Sequence, residues 1–275
     1  MLKNEYILIT GAAGSIGSEL VRQLINDNNI FALDLNETEL FNLVEELRFD
    51  GKKLEYLIGD ICDYETLEES MKGVIPSYIF NAAAKKHVSP SEENPIEAVR
   101  TNILGLNNII RFAKKHSSKL ISISTDKAVY PLSVMGMTKR IGEVMVKNAN
   151  GISVRFANVL GSRGSVIPIW QKQADEKKSL TITDSRMERY FMTIEQAVEL
   201  VIEAAIIGEP GDTIILNMGQ PIKILDLAKK IIQESGQDLN IKEIGIRPGE
   251  SLKEELMTEE EKQKAIKYEK FYIIR

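Results

Sequence analysis

The sequence predicts an α/β fold, a doubly wound parallel sheet with a smaller C-terminal lobe. The first observation is that short apolar runs alternate with longer segments of helical spacing from Tyr6 to Val159, as they do in such sheets. The second is a glycine-rich turn between the first strand and the first helix. With 275 residues, the chain is long enough for a large domain and a small one. We expect the large domain to span residues 1–162, completed by 193–219, and the lobe to contain 163–192 and 220–275.

Composition excludes several functional classes. The net charge of −5 provides no general attraction to nucleic acid or anionic lipid. Cys62 is the single cysteine and His87 and His116 are the two histidines, so we expect no disulfide and no metal site. The sequence shows no leader-like segment and no run of about 18 apolar residues. We therefore expect a cytoplasmic protein without a membrane segment.

The first strand, Tyr6–Thr10, is followed by a glycine turn and by helical spacing from Glu19 to Ile25. Gly11 permits the tight turn, Gly14 lets the backbone approach a pyrophosphate, and Gly17 lets helix and strand pack closely. The spacing is GxxGxxG rather than the commoner GxGxxG. A Rossmann-type dinucleotide site is predicted, with phosphates on the helix N-terminus. Its residues would be Gly11, Ala13, Gly14, Ser15, Ile16 and Gly17.

The second strand, Ile30–Asp34, ends in an acidic residue 23 positions after Gly11. Such a carboxylate accepts hydrogen bonds from the adenosine ribose and repels a 2′-phosphate, which favours NAD over NADP. The alternative is that Asp34 caps the next helix, since Asp favours helix starts.

The third and fourth strands, 54–58 and 78–81, are each followed by candidate cofactor residues. Asp60 and Ile61 follow the third strand, where Asp60 would meet the adenine amino group or serve as a plain turn residue. The small residues Ala82, Ala83 and Ala84 follow the fourth and would let a flat cofactor pass close to the backbone. Next come Lys86 and His87, which would face a sugar or phosphate or form a solvated basic turn.

The apolar run Ile121–Ser124 is a buried strand that delivers Thr125, Asp126 and Lys127 to its carboxyl end, where open α/β sheets bind ligands. A helix over about 134–150 carries Met135 and Lys139 just downstream. A hydroxyl, a carboxylate and an amine side by side could move protons in several directions. The alternative is a polar turn and a surface lysine.

The remaining elements predicted from the pattern include a helix over about 95–115 with Asn102 near its middle, and a strand over 152–159 that contains Asn158. The glycine-rich segment 160–168, with Ser165 and Val166, would hold a second phosphate-bearing ligand or simply connect two elements. Beyond it the pattern predicts strands at 180–183, 213–218 and 241–246, helices at 195–207 and 225–234, and a charged, solvated helix from a Ser251 cap to about Ile266.

Together these motifs resemble the extended short-chain dehydrogenases/reductases, and more narrowly the UDP-N-acetylglucosamine 4,6-dehydratases of bacterial surface-glycan synthesis. The resemblance covers Tyr6 to about Glu255, and its specific part is the triplet Thr125-Asp126-Lys127. The wider superfamily has Tyr-x-x-x-Lys, with Tyr as the base. Here Met135 stands at the Tyr position and Lys139 at the Lys position, and a thioether cannot carry that proton. One branch of these dehydratases shares the Met.

The resemblance implies a redox-neutral dehydration: NAD oxidises C4 of the sugar, C5–H is removed, the C6 hydroxyl leaves, and hydride returns to C6. It implies Asp126 as acid toward C6, Lys127 as C5 base, Thr125 as a ligand of O4, and Lys139 on the nicotinamide ribose. The residues predicted to bind the UDP-sugar are Lys86, His87, Asn102, Asn158, Ser165, Val166, Arg189, Arg247 and Glu250.

Arg189 and Arg247 would contact the UDP phosphates, or hold the lobe by an ion pair. Because the C-terminal part is short for this group, we expect a homo-oligomer in which a partner subunit helps close the site. Two other functions stay open: a nucleotide-sugar 4-epimerase and a non-catalytic NAD-binding regulatory protein.

Overall fold

The computed structural model describes residues 2–275, and its centre is a nine-stranded sheet. The strands in chain order are β1 (Tyr6–Thr10), β2 (Asn29–Asp34), β3 (Glu55–Ile58), β4 (Tyr78–Asn81), β5 (Lys119–Thr125), β6 (Ile152–Phe156), β7 (Asn158–Val159), β8 (Leu180–Ile182), β9 (Glu188–Arg189), β10 (Phe191–Met192), β11 (Thr213–Leu216), β12 (Ile222–Lys223), β13 (Ile241–Glu243), β14 (Ile266–Lys267) and β15 (Phe271–Ile274).

The central sheet has the order β3-β2-β1-β4-β5-β6-β11-β15-β14. Neighbours from β3 to β11 pair in parallel, whereas β15 is antiparallel to both β11 and β14. The order reverses between β1 and β4, which opens a crevice outside the carboxyl ends of these strands. The predicted doubly wound parallel sheet is confirmed.

Helices cover both faces of this sheet. The α-helices in chain order are α1 (Ser15–Leu24), α2 (Glu37–Phe49), α3 (Tyr64–Ser70), α4 (Val88–Glu93), α5 (Pro95–Val99), α6 (Leu106–His116), α7 (Val134–Asn148), α8 (Val166–Asp175), α9 (Ile194–Ile207), α10 (Ile224–Ser235) and α11 (Glu259–Lys264). Of these, α8 and α10 pack in the lobe rather than on the sheet. A π-helical segment, Arg100–Gly105, joins α5 to α6, so the helix predicted over 95–115 contains a widened turn. The central strands are apolar on both faces, as in Ile7, Leu8 and Ile9, because helices bury both sides.

The lobe has a separate small core around Trp170, which is fully buried. Leu180, Ile182, Met187 and Ile224 pack there with it. This core links α8, α10 and the pair β8–β13. The lobe therefore presents its own structured surface to the carboxyl edge of the sheet.

The end of the chain differs from the sequence prediction in two ways. The helix expected from Ser251 to Ile266 is limited to α11, which starts at a capping box formed by Thr258 and Glu261. Before it, the carbonyls of Ser251 and Leu252 accept hydrogen bonds from Arg189, so this backbone is irregular rather than helical.

The second difference concerns the predicted boundary of the lobe. Strands β14 and β15 extend the central sheet, and Phe271 and Ile273 are buried in its core. Residues 266–274 therefore belong with the large domain, because their apolar side chains complete that core. The rest of the proposed domain division stays a prediction.

Candidate active site

A cavity of about 730 Å³ lies at the carboxyl edge of the sheet, between the large domain and the lobe. Every residue predicted to bind the cofactor lines it. So do the predicted catalytic and substrate residues, with two exceptions: Asp126 and Asn102 are absent from its wall. The structure thus brings together residues that the sequence spreads from Gly11 to Glu250.

The glycine turn has the shape that a dinucleotide needs. Gly11 has a φ of +66°, and a Cβ there would lie 2.6 Å from the backbone nitrogen of Ala83. A Cβ on Gly17 would collide with the carbonyl oxygen of Gly11. Helix α1 starts at Ser15 with no side-chain cap from Gly14, so its first N–H groups are available to an anion. These residues fit a pyrophosphate-containing cofactor.

Asp34 is fixed beside this turn. Its Oδ2 accepts the N–H of Ala13 at 2.9 Å, and its Oδ1 accepts the N–H of Asn36 at 2.8 Å. The side chain that caps α2 is Asn36, which accepts the N–H of Glu39. The alternative that Asp34 caps this helix is therefore wrong, and its role as a ligand of the ribose stays a prediction.

Asp60 and Ile61, the predicted cofactor residues after β3, also line the cavity. Asp60 accepts the N–H of Cys62 at 2.9 Å and lies 3.6 Å from Arg100. Ile61 is buried against Gly105. Asp60 thus has the turn role that was left open, and it also lines the cavity; its contact with adenine stays a prediction.

The glycine-rich segment after β7 closes onto the first glycine turn. The N–H of Arg163 donates to Ser15 Oγ at 3.1 Å, and the Arg163 guanidinium binds the carbonyl of Ala13 and the carboxylate of Glu39. Lys86 donates to the carbonyl of Arg163 at 2.9 Å. Burial and then repulsion from Arg163 lower the pKa of Lys86. Burial, with Lys86 nearby, likewise lowers the pKa of His87.

The triplet at the end of β5 forms a connected polar group. Thr125 Oγ1 donates to Asp126 Oδ1 at 2.7 Å, and Lys127 Nζ lies 3.1 Å from the same oxygen. A single 3₁₀ turn over Asp126–Ala128 turns the chain here. Thr125 and Lys127 line the cavity, whereas the Asp126 side chain is only 1% exposed. Asp126 therefore lies behind the cavity wall and is hydrogen-bonded to Thr125 and Lys127, which line it.

Glu254 completes this group, and the sequence analysis missed it. Its Oε1 lies 3.0 Å from Lys127 Nζ and 3.1 Å from Arg189 Nε, and its Oε2 accepts from Asn158 Nδ2 at 2.8 Å. The side chain is 3% exposed. Nothing in the charge pattern distinguishes it from exposed Glu255, because both lie in the segment expected to be a solvated helix.

The two carboxylates decide the charge of Lys127. Burial disfavours the ammonium, but the attraction of Asp126 and Glu254 is larger in sum and raises the pKa of Lys127. Burial and repulsion from Asp126 raise the pKa of Glu254, although Lys127 and Arg189 oppose this. Lys127 is thus a cation in the resting protein, held between two carboxylates.

Met135 and Lys139 lie one turn apart on α7 and both face the cavity. Met135 is 3% exposed and offers a thioether where a proton carrier would stand. Lys139 Nζ donates to the carbonyl of Ile123 at 2.9 Å. Burial lowers the pKa of Lys139 to about 8, partly offset by Glu143.

The predicted substrate residues differ in how many bonds they already make within the protein. Arg189 is occupied by Glu254 and by three backbone carbonyls, those of Glu188, Ser251 and Leu252, so the internal ion pair left open for it is present. Arg247 is exposed at the cavity mouth, where its N–H donates to Glu250. Among the described residues, the hydroxyl of Ser165 is buried without a hydrogen-bond partner, which makes it a candidate ligand group.

The prediction that Asn102 binds the UDP-sugar is wrong. Its amide is 4% exposed, accepts the N–H of Lys85, and donates to the carbonyl of Lys85 and the hydroxyl of Thr138. All its polar atoms are thereby satisfied inside the protein. Asn102 holds the segment after β4 against α7 rather than contacting a substrate.

Comparison with known proteins gives a family match over most of the chain. The model of a family described as "Polysaccharide biosynthesis protein" matches residues 7–275. The capsular polysaccharide biosynthesis protein CapD of Staphylococcus aureus is 43% identical, with 98% of this chain and 48% of CapD covered. The "Probable polysaccharide biosynthesis protein EpsC" of Bacillus subtilis is 42% identical over 94% of this chain and 46% of its own length. The chain thus spans about half the length of these relatives.

Other relatives are similar over more of their own length. A protein of Rickettsia bellii named UDP-glucose 4-epimerase is 35% identical, with 100% of this chain and 84% of that protein covered. Among residues 2–275, no helix is long and apolar enough to cross a bilayer.

Solved structures share the fold closely. Pen from Bacillus thuringiensis has a TM-score of 0.94 and 38% identity, with 99% of this chain and 88% of Pen covered. A UDP-glucose 4-epimerase of Thermus thermophilus in complex with NAD has a TM-score of 0.80 at 20% identity, over 92% of this chain and 90% of that one. At that identity the likeness shows the fold alone, a fold whose solved members include NAD complexes.

Proposed function

This chain belongs to the polysaccharide biosynthesis protein family, and on that premise we propose that it is an NAD-dependent UDP-N-acetylglucosamine 4,6-dehydratase. The product would be a UDP-4-keto-6-deoxy-N-acetylhexosamine for surface glycan synthesis. A cytoplasmic location and a homo-oligomeric assembly stay predictions.

The observation that carries the proposal is the contact between Asp126 and Lys127 at the end of β5. An epimerase acts at C4 alone and needs one group to exchange the C4 hydroxyl proton. A dehydratase must also remove a proton at C5 and protonate the C6 hydroxyl as it leaves. A carboxyl and an amine joined to the Thr125 hydroxyl supply these extra proton carriers in one place.

When bound, NAD supplies reversible hydride transfer. The glycine turn and the start of α1 would hold its pyrophosphate, and Asp34 its adenosine ribose. Lys139 would contact the nicotinamide ribose, and its partial positive charge near pH 8 lowers proton affinities around it. The glycine-rich segment contacts this end of the cavity through the bonds of Arg163 to Ser15 and Glu39.

The sugar would lie between these groups and the triplet. Thr125 would bind O4, and Asp126 would receive the O4 proton through it, because Met135 cannot. Asp126 would then donate a proton to the departing C6 hydroxyl, and Lys127 would take the C5 proton. The UDP diphosphate would lie at exposed Arg247, with Lys86, Asn158 and Ser165 as further ligands, while Arg189 acts mainly on Glu254.

A second candidate, UDP-glucose 4-epimerase activity, is supported by the 35% identity to the Rickettsia bellii protein of that name. Incubation of the purified, NAD-loaded protein with UDP-N-acetylglucosamine and, separately, UDP-glucose separates the two. A product lighter by one water supports the dehydratase, whereas an isomer of unchanged mass supports the epimerase. Absence of turnover with either sugar would favour a non-catalytic NAD-binding protein.

A further inference from the structure

The proposed chemistry leaves one proton unaccounted for. Lys127 can remove the C5 proton only as a neutral amine, yet in the resting protein its ammonium is held by two carboxylates. Asp126 is committed elsewhere, because it exchanges protons with O4 and O6. A separate acceptor must therefore take the Lys127 proton before the C5 step.

We propose that Glu254 is a positioning residue that takes up the proton of Lys127, so that Lys127 becomes the base at C5. The inference rests on the proposed dehydratase function. It assigns a role to a residue that lies behind the cavity wall and would touch neither sugar nor cofactor.

The geometry around Glu254 favours this role. Its Oε1 lies 3.0 Å from Lys127 Nζ, within hydrogen-bond distance for direct transfer. Arg189 and Asn158 fix the carboxyl from β9 and β7. The side chains that face Glu254 are those of Asp126, Lys127, Asn158 and Arg189. Tyr190 is also nearby, since the charge of Glu254 contributes, after burial, to raising the pKa of the Tyr190 hydroxyl.

Burial favours the transfer. Glu254 is 3% exposed, and burial together with repulsion from Asp126 raises the pKa of its carboxyl. Lys127 still has 31% of its side chain exposed, so a sugar in the cavity would strip water from it. Loss of this water disfavours a charged pair relative to a neutral amine and a neutral acid.

The step balances within the protein. One proton passes from the Lys127 ammonium to the Glu254 carboxylate. The C5–H bond of the 4-keto sugar then breaks, its electron pair stays on the sugar conjugated with the C4 ketone, and its proton binds Lys127 Nζ. After C6 chemistry, Lys127 returns a proton to C5 and recovers one from Glu254, so the protonation states of the resting protein are restored.

The test compares the purified NAD-loaded protein with three variants. Glu254→Gln keeps the shape and one acceptor oxygen, which can serve Arg189 or Asn158 but not both, and it cannot hold the proton. Glu254→Asp keeps a carboxyl and shortens the side chain. Glu255→Gln is the matched control, because Glu255 is the exposed neighbour and pairs with Lys262 instead. The rate of C5 deuterium incorporation from deuterated water is measured with UDP-N-acetylglucosamine from about pH 7 to 9.

At pH 7 we expect Glu254→Gln to incorporate deuterium at least about tenfold more slowly than the unmodified protein. The ratio of the two rates should rise with pH, by up to about tenfold per pH unit. Without Glu254, Lys127 must lose its proton to solvent, and that loss is easier at high pH. The ratio of the Glu254→Asp rate to the unmodified rate should not change with pH, even if the shorter side chain makes this variant slow. Absorbance of reduced cofactor at 340 nm should still appear in every variant, since C4 oxidation precedes this step.

A Glu254→Gln ratio that is constant with pH would mean a purely structural role and would overturn the proposal. A ratio near one would do the same. Failure of the dehydratase function itself is recognised separately, because then the unmodified protein releases no water.

A second readout needs no turnover. Lys127 is labelled with an amine-acylating reagent at pH 9 and quantified by peptide mass spectrometry. Removal of the Glu254 charge lowers the pKa of Lys127, so labelling should be about tenfold faster in Glu254→Gln than in the unmodified protein and unchanged in Glu255→Gln. Equal labelling of Lys127 with and without Glu254 would refute the pairing on which the proposal depends.

Discussion

Lys127 Nζ lies 3.0 Å from Oε1 of Glu254, a residue 127 positions later in the chain. This contact joins the end of β5 to the irregular segment before α11. It fixes the resting charge of Lys127 and thereby defines what Lys127 and Asp126 can each do with a proton.

The roles of Lys127 and Asp126 can be separated by the step at which each variant stops. Lys127→Met removes the amine and keeps a long side chain, so dehydration should fall at least about a hundredfold while reduced cofactor still appears at 340 nm. Asp126→Asn should abolish both signals if, as proposed, Asp126 also accepts the O4 proton in place of the absent tyrosine; a 340 nm signal that persists in Asp126→Asn would leave Asp126 with the C6 role alone. Loss of the 340 nm signal in folded, NAD-bound Lys127→Met would mean that Lys127 acts in the first oxidation.

Met135 should contribute shape rather than proton transfer. Met135→Leu conserves volume at a buried position, so we expect turnover within about tenfold of the unmodified protein and a stability change below about 1.5 kcal/mol. Steady-state kinetics and urea unfolding check both numbers. A folded Met135→Leu protein that binds NAD but has no activity would show that the sulfur itself is needed.

Because of Lys139, the rate of C4 oxidation should change with pH near 8. Burial lowers the pKa of Lys139 to about 8, so its ammonium is present below that pH and lost above it. The rate at which the 340 nm signal forms should therefore decrease as the pH rises through about 8. Lys139→Arg keeps a cation at all these pH values and should remove this decrease. A decrease that persists at the same pH in Lys139→Arg must come from another group.

Arg155 should matter for stability more than any exposed ion pair. Its side chain is 0% exposed and bonds Glu143 and Glu261 with two contacts each, between 2.7 and 3.1 Å. Arg155→Met leaves both carboxylates with only the partly exposed Arg140 as a cationic partner and should reduce the free energy of unfolding by about 3–5 kcal/mol. Arg22→Met, which breaks the exposed pair with Glu46, should cost less than about 1 kcal/mol. Similar costs in urea unfolding would contradict this account of the buried network.

Much of the fold and the cofactor end of the site could be predicted, because their signals are local. The glycine turn directly follows a strand and Asp34 ends one, so position along the chain indicates position at the sheet edge. The triplet Thr125-Asp126-Lys127 was found for the same reason.

The rest depends on contacts between distant segments. Glu254 has the same local charge pattern as Glu255, and only tertiary packing buries one and exposes the other. The charge of Lys127 follows from that contact, so the sequence could not provide it. Asn102 was expected to face a substrate because it is polar and mid-helix, but the backbone of Lys85 uses its amide.

The most direct test of the account is incubation of the NAD-loaded protein with UDP-N-acetylglucosamine in deuterated water, followed by NMR of the product. We expect a 4-keto sugar that has lost water, carries a C6 methyl group and has deuterium at C5, because the amine of Lys127 carries deuterium from the solvent when it returns a proton to C5. A C4 epimer that keeps its C6 hydroxyl and ordinary hydrogen at C5 would contradict it and identify the protein as an epimerase.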